Sequence, residues 1–154
     1  MCVLILHNIR SVHNVGSIFR TADAVGVSKI MLSGYTPTPL DRFGRERKDF
    51  NKVSLGAERL VPWEQTKQFS SAVQKLKKEK YTIVALEQDK KSISLFDWPN
   101  TSEAKNGKPI ALVLGNEPRG LSKQALALCD IILEIPMRGK KESLNVSVAA
   151  GIAL

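Results

Sequence analysis

The sequence predicts an α/β fold built on a mainly parallel sheet, with helices packed on both faces. Short β-branched and apolar runs alternate with segments of helical spacing about six times along the chain. Such alternation is typical of parallel strands joined by helical crossovers. The run IALVL, at Ile110–Leu114, has no polar face. We therefore expect it to be a central strand buried on both sides.

The N-terminal half begins with a predicted strand at Cys2–Leu6 and a helix at Asn14–Val25. Asn14 is the expected N-cap of this helix, and Gly26 is the expected glycine at its C-terminal end. The other elements predicted in this half are a strand at Lys29–Leu32, a turn-rich loop with a basic segment at Ser33–Lys52, a strand at Arg59–Trp63 and a helix at Glu64–Lys80.

The C-terminal half repeats the alternation. The predicted strands are Tyr81–Leu86, a short one at Ile93–Phe96 within the polar segment Lys90–Lys108, then Ile110–Leu114 and Asp130–Ile135. The predicted helices are Leu121–Leu128 and Ser143–Leu154. Internal repeats, low-complexity tracts and a composition shift are absent from the sequence, so residues 1–154 are expected to form a single domain.

Composition and charge favour a cytoplasmic protein that binds a polyanion. The 154 residues are 43% hydrophobic and 25% charged, as in globular proteins, and the net charge is +8. Nucleic acid is favoured over an anionic membrane, because no basic amphipathic helix carries bulky apolar residues. We expect no signal peptide, membrane span or metal site, and the thiols of Cys2 and Cys129 are expected to be reduced.

Three polar segments follow predicted strands, where ligands of parallel sheets bind. They are Asn8–Arg20, Gly115–Gly120 and Pro136–Ser147. Each has a simpler interpretation: a helix cap with a solvated arginine, a polar turn into a helix, and a second cap. The glycine spacing of a P-loop or a dinucleotide fingerprint is absent from all three. Both histidines, His7 and His13, are interpreted as loop or packing residues.

Taken together, the three segments resemble the motifs of the SpoU (TrmH-like) family of RNA 2′-O-ribose methyltransferases, within the SPOUT superfamily. The first motif, N-x-G-x-x-x-R, is matched by Asn14, Gly16 and Arg20. The second, an apolar strand followed by G-N-E-x-x-G-L, is matched by Gly115, Asn116, Glu117, Gly120 and Leu121. The third, I-P-M-x-G followed by S-L-N-V-S, is matched by Ile135, Pro136, Met137, Gly139 and Ser143–Ser147. The stretch Lys52–Glu58 also resembles the family, without an assigned chemistry.

The resemblance implies methylation of a ribose 2′-hydroxyl in tRNA or rRNA with S-adenosylmethionine as the methyl donor. It further implies a C-terminal trefoil knot and a homodimer with active sites at the subunit boundary. The implied cofactor-binding residues are Leu86, Gly115, Asn116, Ile135, Met137, Ser143 and Leu144. The implied catalytic residues are Asn14, Arg20, Glu117, Ser143 and Asn145.

The resemblance assigns proton abstraction to Arg20. A guanidinium is nearly always protonated in proteins, so a cationic Arg20 that grips a phosphate and stabilises the developing alkoxide is physically easier. Phosphate contacts are expected from basic residues in two segments. These residues are Arg42, Arg45, Arg47, Lys48, Arg138, Lys140 and Lys141.

Two other functions remain open from the sequence. One is a catalytically silent RNA-binding module of the same fold. The other is a small-molecule enzyme with a nucleotide cofactor, which the positive charge and the missing dinucleotide fingerprint disfavour. The sequence does not specify which RNA or which nucleotide would be methylated, nor whether the native chain continues past Leu154.

Overall fold

A seven-stranded parallel sheet forms the centre of the computed structural model, which describes residues 2–154 apart from the side chain of residue 103. The strands are β1 (Cys2–His7), β2 (Lys29–Ser33), β3 (Trp63–Thr66), β4 (Thr82–Leu86), β5 (Ile93–Ser94), β6 (Ile110–Leu114) and β7 (Ile131–Glu134). Their order is β3-β2-β1-β6-β4-β7-β5, and every pairing is parallel. The predicted α/β class is confirmed.

Helices cover both faces of the sheet. They are α1 (Val12–Val25), α2 (Lys48–Ser54), α3 (Ala57–Leu60), α4 (Phe69–Lys78), α5 (Ser102–Lys105), α6 (Lys123–Leu126) and α7 (Val146–Ala153), with a 3-10 turn at Trp98–Asn100. Alternate residues of a strand point to opposite faces. Leu4 and Leu6 of β1 therefore pack with α1, α2, α3 and α7, whereas Val3 and Ile5 pack with α4 and α6.

The first helix begins earlier than predicted. Ser11, not Asn14, is its N-cap, and the Ser11 hydroxyl accepts a hydrogen bond from the backbone N–H of Asn14 at 3.2 Å. The prediction that Asn14 caps the helix was wrong, because the chain offers a serine three residues earlier. The side chain of Asn14 is consequently available for other contacts. Gly26 does end the helix, with φ of 75°.

The segment between β2 and α4 differs most from the prediction. Helices α2 and α3 occupy part of the expected loop and part of the expected strand, and β3 lies three to four residues later than predicted. The predicted helix at residues 64–80 shortens accordingly to Phe69–Lys78. Tertiary burial explains α2, since Phe50 is fully buried with its ring edge-on to Phe19 at 5.4 Å. A helix with so few apolar residues gives little periodic signal in the sequence.

The family-like stretch Lys52–Glu58 has a structural role. Leu55 and Gly56 adopt left-handed conformations, with φ of 52° and 94°, and turn the chain from α2 into α3. The turn presses α2 against α1 at Gly16, where an added Cβ would lie 3.1 Å from Val53 Cβ. This stretch therefore fixes the position of α1.

The C-terminal strands match their predicted positions within one or two residues, and β6 is buried along both sides as expected. The predicted strand at residues 93–96 is limited to Ile93–Ser94. The final helix begins at Val146 with Asn145 as its N-cap, which leaves Ser143 in the preceding loop. Within residues 2–154, no helix is both long enough and apolar enough to cross a bilayer.

Candidate functional site

A cavity of about 360 Å³ lies at the carboxyl ends of β4, β6 and β7. This is the edge of a parallel sheet where ligands bind, because the strand-to-helix loops converge there. The residues that line it come from the loops after these strands and from the start of α7: Leu86, Glu87, Gln88, Leu114, Gly115, Asn116, Glu117, Pro118, Arg119, Gly120, Glu134, Ile135, Met137, Ser143, Leu144, Val146 and Ala149.

Every residue that the sequence suggested for cofactor binding lines this cavity. They are Leu86, Gly115, Asn116, Ile135, Met137, Ser143 and Leu144. The apolar members can contact a flat ring, while the strand ends present backbone polar groups. The loops after β6 and β7, which are separated in sequence by α6 and β7, therefore meet the end of β4 in one cleft.

Two glycines allow the loop after β6 to fold tightly. A Cβ on Gly115 would lie 2.7 Å from Leu121 Cγ and 2.9 Å from the backbone carbon of Gly120. Gly120 itself has φ of 63°, and a Cβ there would overlap the Oε2 atom of Glu87. Side chains at either position would push the loop away from the strand ends.

Glu87 and Gln88 are site residues that the sequence analysis missed. Glu87 Oε2 accepts a hydrogen bond from the N–H of Leu121 at 2.8 Å, which fastens the loop after β6 to the end of β4. Gln88 Nε2 donates to the carbonyl of Glu142 at 2.7 Å and joins the end of β4 to the loop between β7 and α7, here called the third loop. Their position directly after a strand ending at Leu86 was the available signal.

The motif residues Asn14, Glu117 and Asn145 form one hydrogen-bonded chain beside the cavity. Asn14 Nδ2 donates to Glu117 Oε1 at 2.9 Å, and Asn145 Nδ2 donates to Asn14 Oδ1 at 3.1 Å. Glu117 also accepts the backbone N–H groups of Arg10, at 2.9 Å, and Ser11, at 3.1 Å. Three segments that are distant in sequence thus converge at the N-terminus of α1, whose dipole favours a carboxylate.

The pKa of Glu117 is lowered. Burial by itself favours the neutral acid, but the hydrogen bonds donated by Arg10, by Asn14 and by the backbone N–H groups of Glu117 itself and Ser11 outweigh it and favour the carboxylate. A depressed carboxyl pKa contributes stability above the pKa of the unfolded chain, about 4.3. That contribution is lost as the pH falls through the lower folded pKa.

Glu117→Gln is therefore expected to reduce the free energy of unfolding by about 1 kcal/mol at pH 7, a figure discounted for the partial exposure of the group. The amide replaces one of the two accepting oxygens by an NH2 donor, so at least one of the backbone N–H groups of Arg10 and Ser11 loses its acceptor. Urea titrations at several pH values should show the difference from wild type shrinking below about pH 4.3. Glu142→Gln is the matched control, because only the backbone carbonyl of Glu142 makes a described contact. A difference that is independent of pH would contradict the role of the charge.

Asn116 connects the cavity to the loop after β2. Its Nδ2 donates to the carbonyl of Asn8 and to the hydroxyl oxygen of Tyr35, each at 2.9 Å. Asn8 adopts a left-handed conformation with φ of 56°, and its Oδ1 accepts the N–H of Tyr35 at 3.2 Å. Tyr35 was not predicted as a neighbour of the site, and Asn8 was predicted only as the first residue of a candidate segment, since nothing local links either of them to Asn116.

His7 is a packing residue, as interpreted from the sequence. Its Nδ1 lies 2.9 Å from Ser33 Oγ, and its ring packs against Phe69 with centroids 4.7 Å apart. Burial lowers the pKa of His7, so the ring is held neutral.

Arg20 does not reach the cavity of its own chain. It lies on the exposed side of α1, six residues after Asn14, and makes no ion pair or hydrogen bond with the residues described. Six residues advance a helix by about 9 Å and turn it by a third of a circle relative to Asn14. Of the five predicted catalytic residues, the structure brings four to the cleft or its rim and leaves Arg20 apart.

The basic residues predicted to contact RNA fall into two groups. Arg45 and Arg47 form ion pairs with Asp41 at 2.8 Å and Asp49 at 2.7 Å, which partly neutralise them. The others are exposed and have no carboxylate partner in the described part of the chain: Arg42, Lys48, Arg138, Lys140 and Lys141.

No group of three or more His, Cys, Asp or Glu side chains that could hold a metal ion is found among the described residues 2–154.

Comparison with known proteins gives consistent results. The SpoU rRNA Methylase family matches residues 1–154. An uncharacterized tRNA/rRNA methyltransferase of Archaeoglobus fulgidus is 35% identical over 99% of this chain and 62% of its own length. The tRNA (guanosine(18)-2′-O)-methyltransferase of Thermus thermophilus is 34% identical over 98% of this chain and 71% of its own.

A crystal structure of an AdoMet-bound rRNA methyltransferase from Sinorhizobium meliloti superimposes with a TM-score of 0.82, at 25% identity, over 99% of this chain and 53% of that one. The present chain spans 62%, 56% and 54% of three of the relatives that it matches. The similarity thus covers almost all of this chain and roughly half to three fifths of those proteins.

Proposed function

The chain belongs to the SpoU rRNA Methylase family, and on that basis we propose that it transfers a methyl group from S-adenosylmethionine to a ribose 2′-hydroxyl of tRNA or rRNA. The observation that carries the proposal is the cleft formed by the second and third motif segments, to whose rim Asn14 of the first segment is hydrogen-bonded through Glu117 and Asn145. Relatives named as tRNA and rRNA 2′-O-methyltransferases support the reaction class.

The cavity fits the proposed cofactor in size and chemistry. Its volume lies within the range of small-molecule sites. Leu86, Ile135 and Met137 offer apolar contacts for the adenine ring, while Gly115 and Asn116 offer backbone groups. Glu87 and Glu134 line the cleft as well, and their carboxylates suit a ligand that carries a cationic centre.

S-adenosylmethionine, when bound, supplies a methyl group activated by its attachment to a positively charged sulfur. The task of the protein is then to align the ribose hydroxyl and to accommodate the charge that develops on its oxygen. The chain of Asn14, Glu117 and Asn145 offers fixed amide groups at the rim of the cleft for holding the acceptor sugar. Arg20 would grip the neighbouring phosphate and stabilise the charge on the attacking oxygen, while the hydroxyl proton passes to solvent water and S-adenosylhomocysteine leaves.

We further propose a homodimer in which Arg20 of one subunit serves the cleft of the other. The isolation of Arg20 from its own cavity supports this arrangement. So do Val148 and Ile152, which lie one turn apart on α7 and remain 50% and 44% exposed. Such apolar side chains on a helix that packs against α1 fit burial against a second subunit.

The proposal also includes the C-terminal trefoil knot and a cytoplasmic location. Residues 135–145 follow β7 and line the same cavity as the loops after β4 and β6. A knot in which the chain after β7 passes through one of these loops is compatible with that arrangement. The tRNA and rRNA named for the relatives suit a cytoplasmic protein.

A ligand series separates the proposed function from its alternatives. S-adenosylhomocysteine at one hundred times its Kd should stabilise the folded protein by about 2.7 kcal/mol, seen as a raised Tm. NAD and ATP should leave the Tm unchanged. Transfer of tritiated methyl groups to total RNA then separates an enzyme from a silent RNA-binding module. Stabilisation by NAD alone, or by none of the three ligands, would contradict the proposal.

A further inference from the structure

The loop of residues 34–47, here called the aromatic loop, leaves β2 beside the cavity and is held rigidly at its base. Thr36 is buried, and its hydroxyl lies 2.8 Å from the carbonyl of Leu6 and accepts the N–H of Ile9 at 3.1 Å. Farther out, Arg47 N–H donates to the carbonyl of Pro39 at 3.0 Å. The loop is therefore a fixed projection next to the cleft.

The tip of the aromatic loop is a tight turn closed by Asp41. Its Oδ1 accepts the N–H groups of Phe43 at 2.8 Å and of Arg45 at 3.0 Å. Gly44, with φ of 76°, completes the turn. These bonds fix the backbone that carries Phe43.

Two aromatic rings of this loop face solvent. Phe43 is 65% exposed, and the guanidinium carbons of Arg42 and Arg45 lie 4.7 and 5.0 Å from its ring centroid. Tyr35 is 60% exposed, and its hydroxyl accepts from Asn116, which lines the cavity. One ring thus lies at the rim of the cleft and the other at the tip of the same loop.

An exposed ring with two guanidiniums over it suits nucleic acid better than a protein partner. Every nucleobase offers a flat face that can stack on phenylalanine. Arg42 has no described carboxylate partner, so its exposed guanidinium can leave the ring for a flanking phosphate and open the ring to a base. Base faces are accessible only where the RNA is unpaired, because a duplex keeps them stacked on each other.

We propose, on the basis of the proposed function, that the aromatic loop binds unpaired nucleotides that flank the methylated ribose, with one base stacked on Phe43 and the next contacting Tyr35. The enzyme would then select a single-stranded loop of RNA and not a continuous helix.

The test compares two fluorescent RNA probes of one sequence, a 12-nucleotide single strand and its blunt duplex, by anisotropy. Phe43→Ala should weaken binding of the single strand about five-fold to a hundred-fold, and Phe43→Trp should retain it. Duplex binding, which depends on phosphates, should hardly change. Phe96→Ala is the matched control, since Phe96 is 61% exposed and has no described guanidinium on its ring.

The salt dependence distinguishes stacking from charge. Phe43→Ala should leave the slope of log K against log salt unchanged, whereas Arg42→Ala should reduce it by about 0.7 for a single strand. Equal loss of single-strand and duplex binding, or no loss at all, would overturn the proposal. Each variant is first titrated with S-adenosylhomocysteine. If wild type binds that ligand and methylates RNA while Phe43→Ala behaves as wild type, only the role of the loop fails.

Discussion

Gly115→Ala is expected to lower the affinity for S-adenosylhomocysteine at least about ten-fold, which corresponds to about 1.4 kcal/mol of lost binding free energy. The new Cβ would lie 2.7 Å from Leu121 Cγ and 2.9 Å from the backbone carbon of Gly120. Leu121 is in the core between β6 and α6, so its side chain has no space to move away from the added Cβ. The loop that walls the cavity must move instead, at a cost of about 1–3 kcal/mol in stability.

Gly139→Ala is the matched control. Gly139 belongs to the third loop, but an added Cβ there meets no atom within 4 Å and its φ is not in the left-handed region. Isothermal titration calorimetry well below the Tm measures the affinity of both variants, and circular dichroism verifies that each is folded. Unchanged affinity in Gly115→Ala would mean that the cofactor binds elsewhere.

The parts of the fold that could be predicted from sequence are those with dense, periodic apolar signals. Strand β6 and its neighbours were predicted because buried parallel strands are apolar on both faces. Helices α2 and α3 were not, because each presents only two buried residues, one of them apolar, and packs against α1. These helices form because of tertiary packing, which the local spacing of apolar residues does not predict.

The residues of the candidate site also fall into a group that could be predicted from the sequence and a group that could not. Residues such as Gly115, Glu117 and Asn145 were predicted because they belong to motifs with fixed spacing. Glu87 and Tyr35 were missed, because their relevance depends on the order of the strands in the sheet. Glu87 follows β4, which pairs with β6, and Tyr35 follows β2, which only β1 separates from β6. Sequence order did not reveal that adjacency.

Arg20→Ala is expected to lower kcat for methyl transfer about 100-fold to 1,000-fold, with the affinity for S-adenosylhomocysteine nearly unchanged. The side chain is exposed and makes no described ion pair or hydrogen bond, so its removal should not disturb the cavity of its own chain. Single-turnover methylation of RNA and calorimetric titration measure the two quantities. Lys78→Ala, an exposed basic residue on α4, is the control for loss of a positive charge. A large loss of cofactor affinity in Arg20→Ala would instead place this arginine in a cofactor site.

Subunit complementation tests which cleft Arg20 serves. Co-expressed Arg20→Ala and Gly115→Ala chains, carrying different tags, should form mixed dimers alongside the two parental dimers. If Arg20 acts across the interface, one of the two sites in each mixed dimer combines an intact cavity with an intact arginine. Random pairing makes half of the dimers mixed. At an S-adenosylmethionine concentration well below the Kd of the Gly115→Ala cavity, where that cavity contributes little activity, total activity should therefore recover to about one quarter of wild type. If Arg20 acts within its own chain, no site in any dimer is complete and activity stays at the level of the separate variants. That result would refute catalysis at the subunit boundary. The reaction class would be unaffected, because the two arrangements differ only in whether Arg20 comes from the same subunit as the cleft or from the other one.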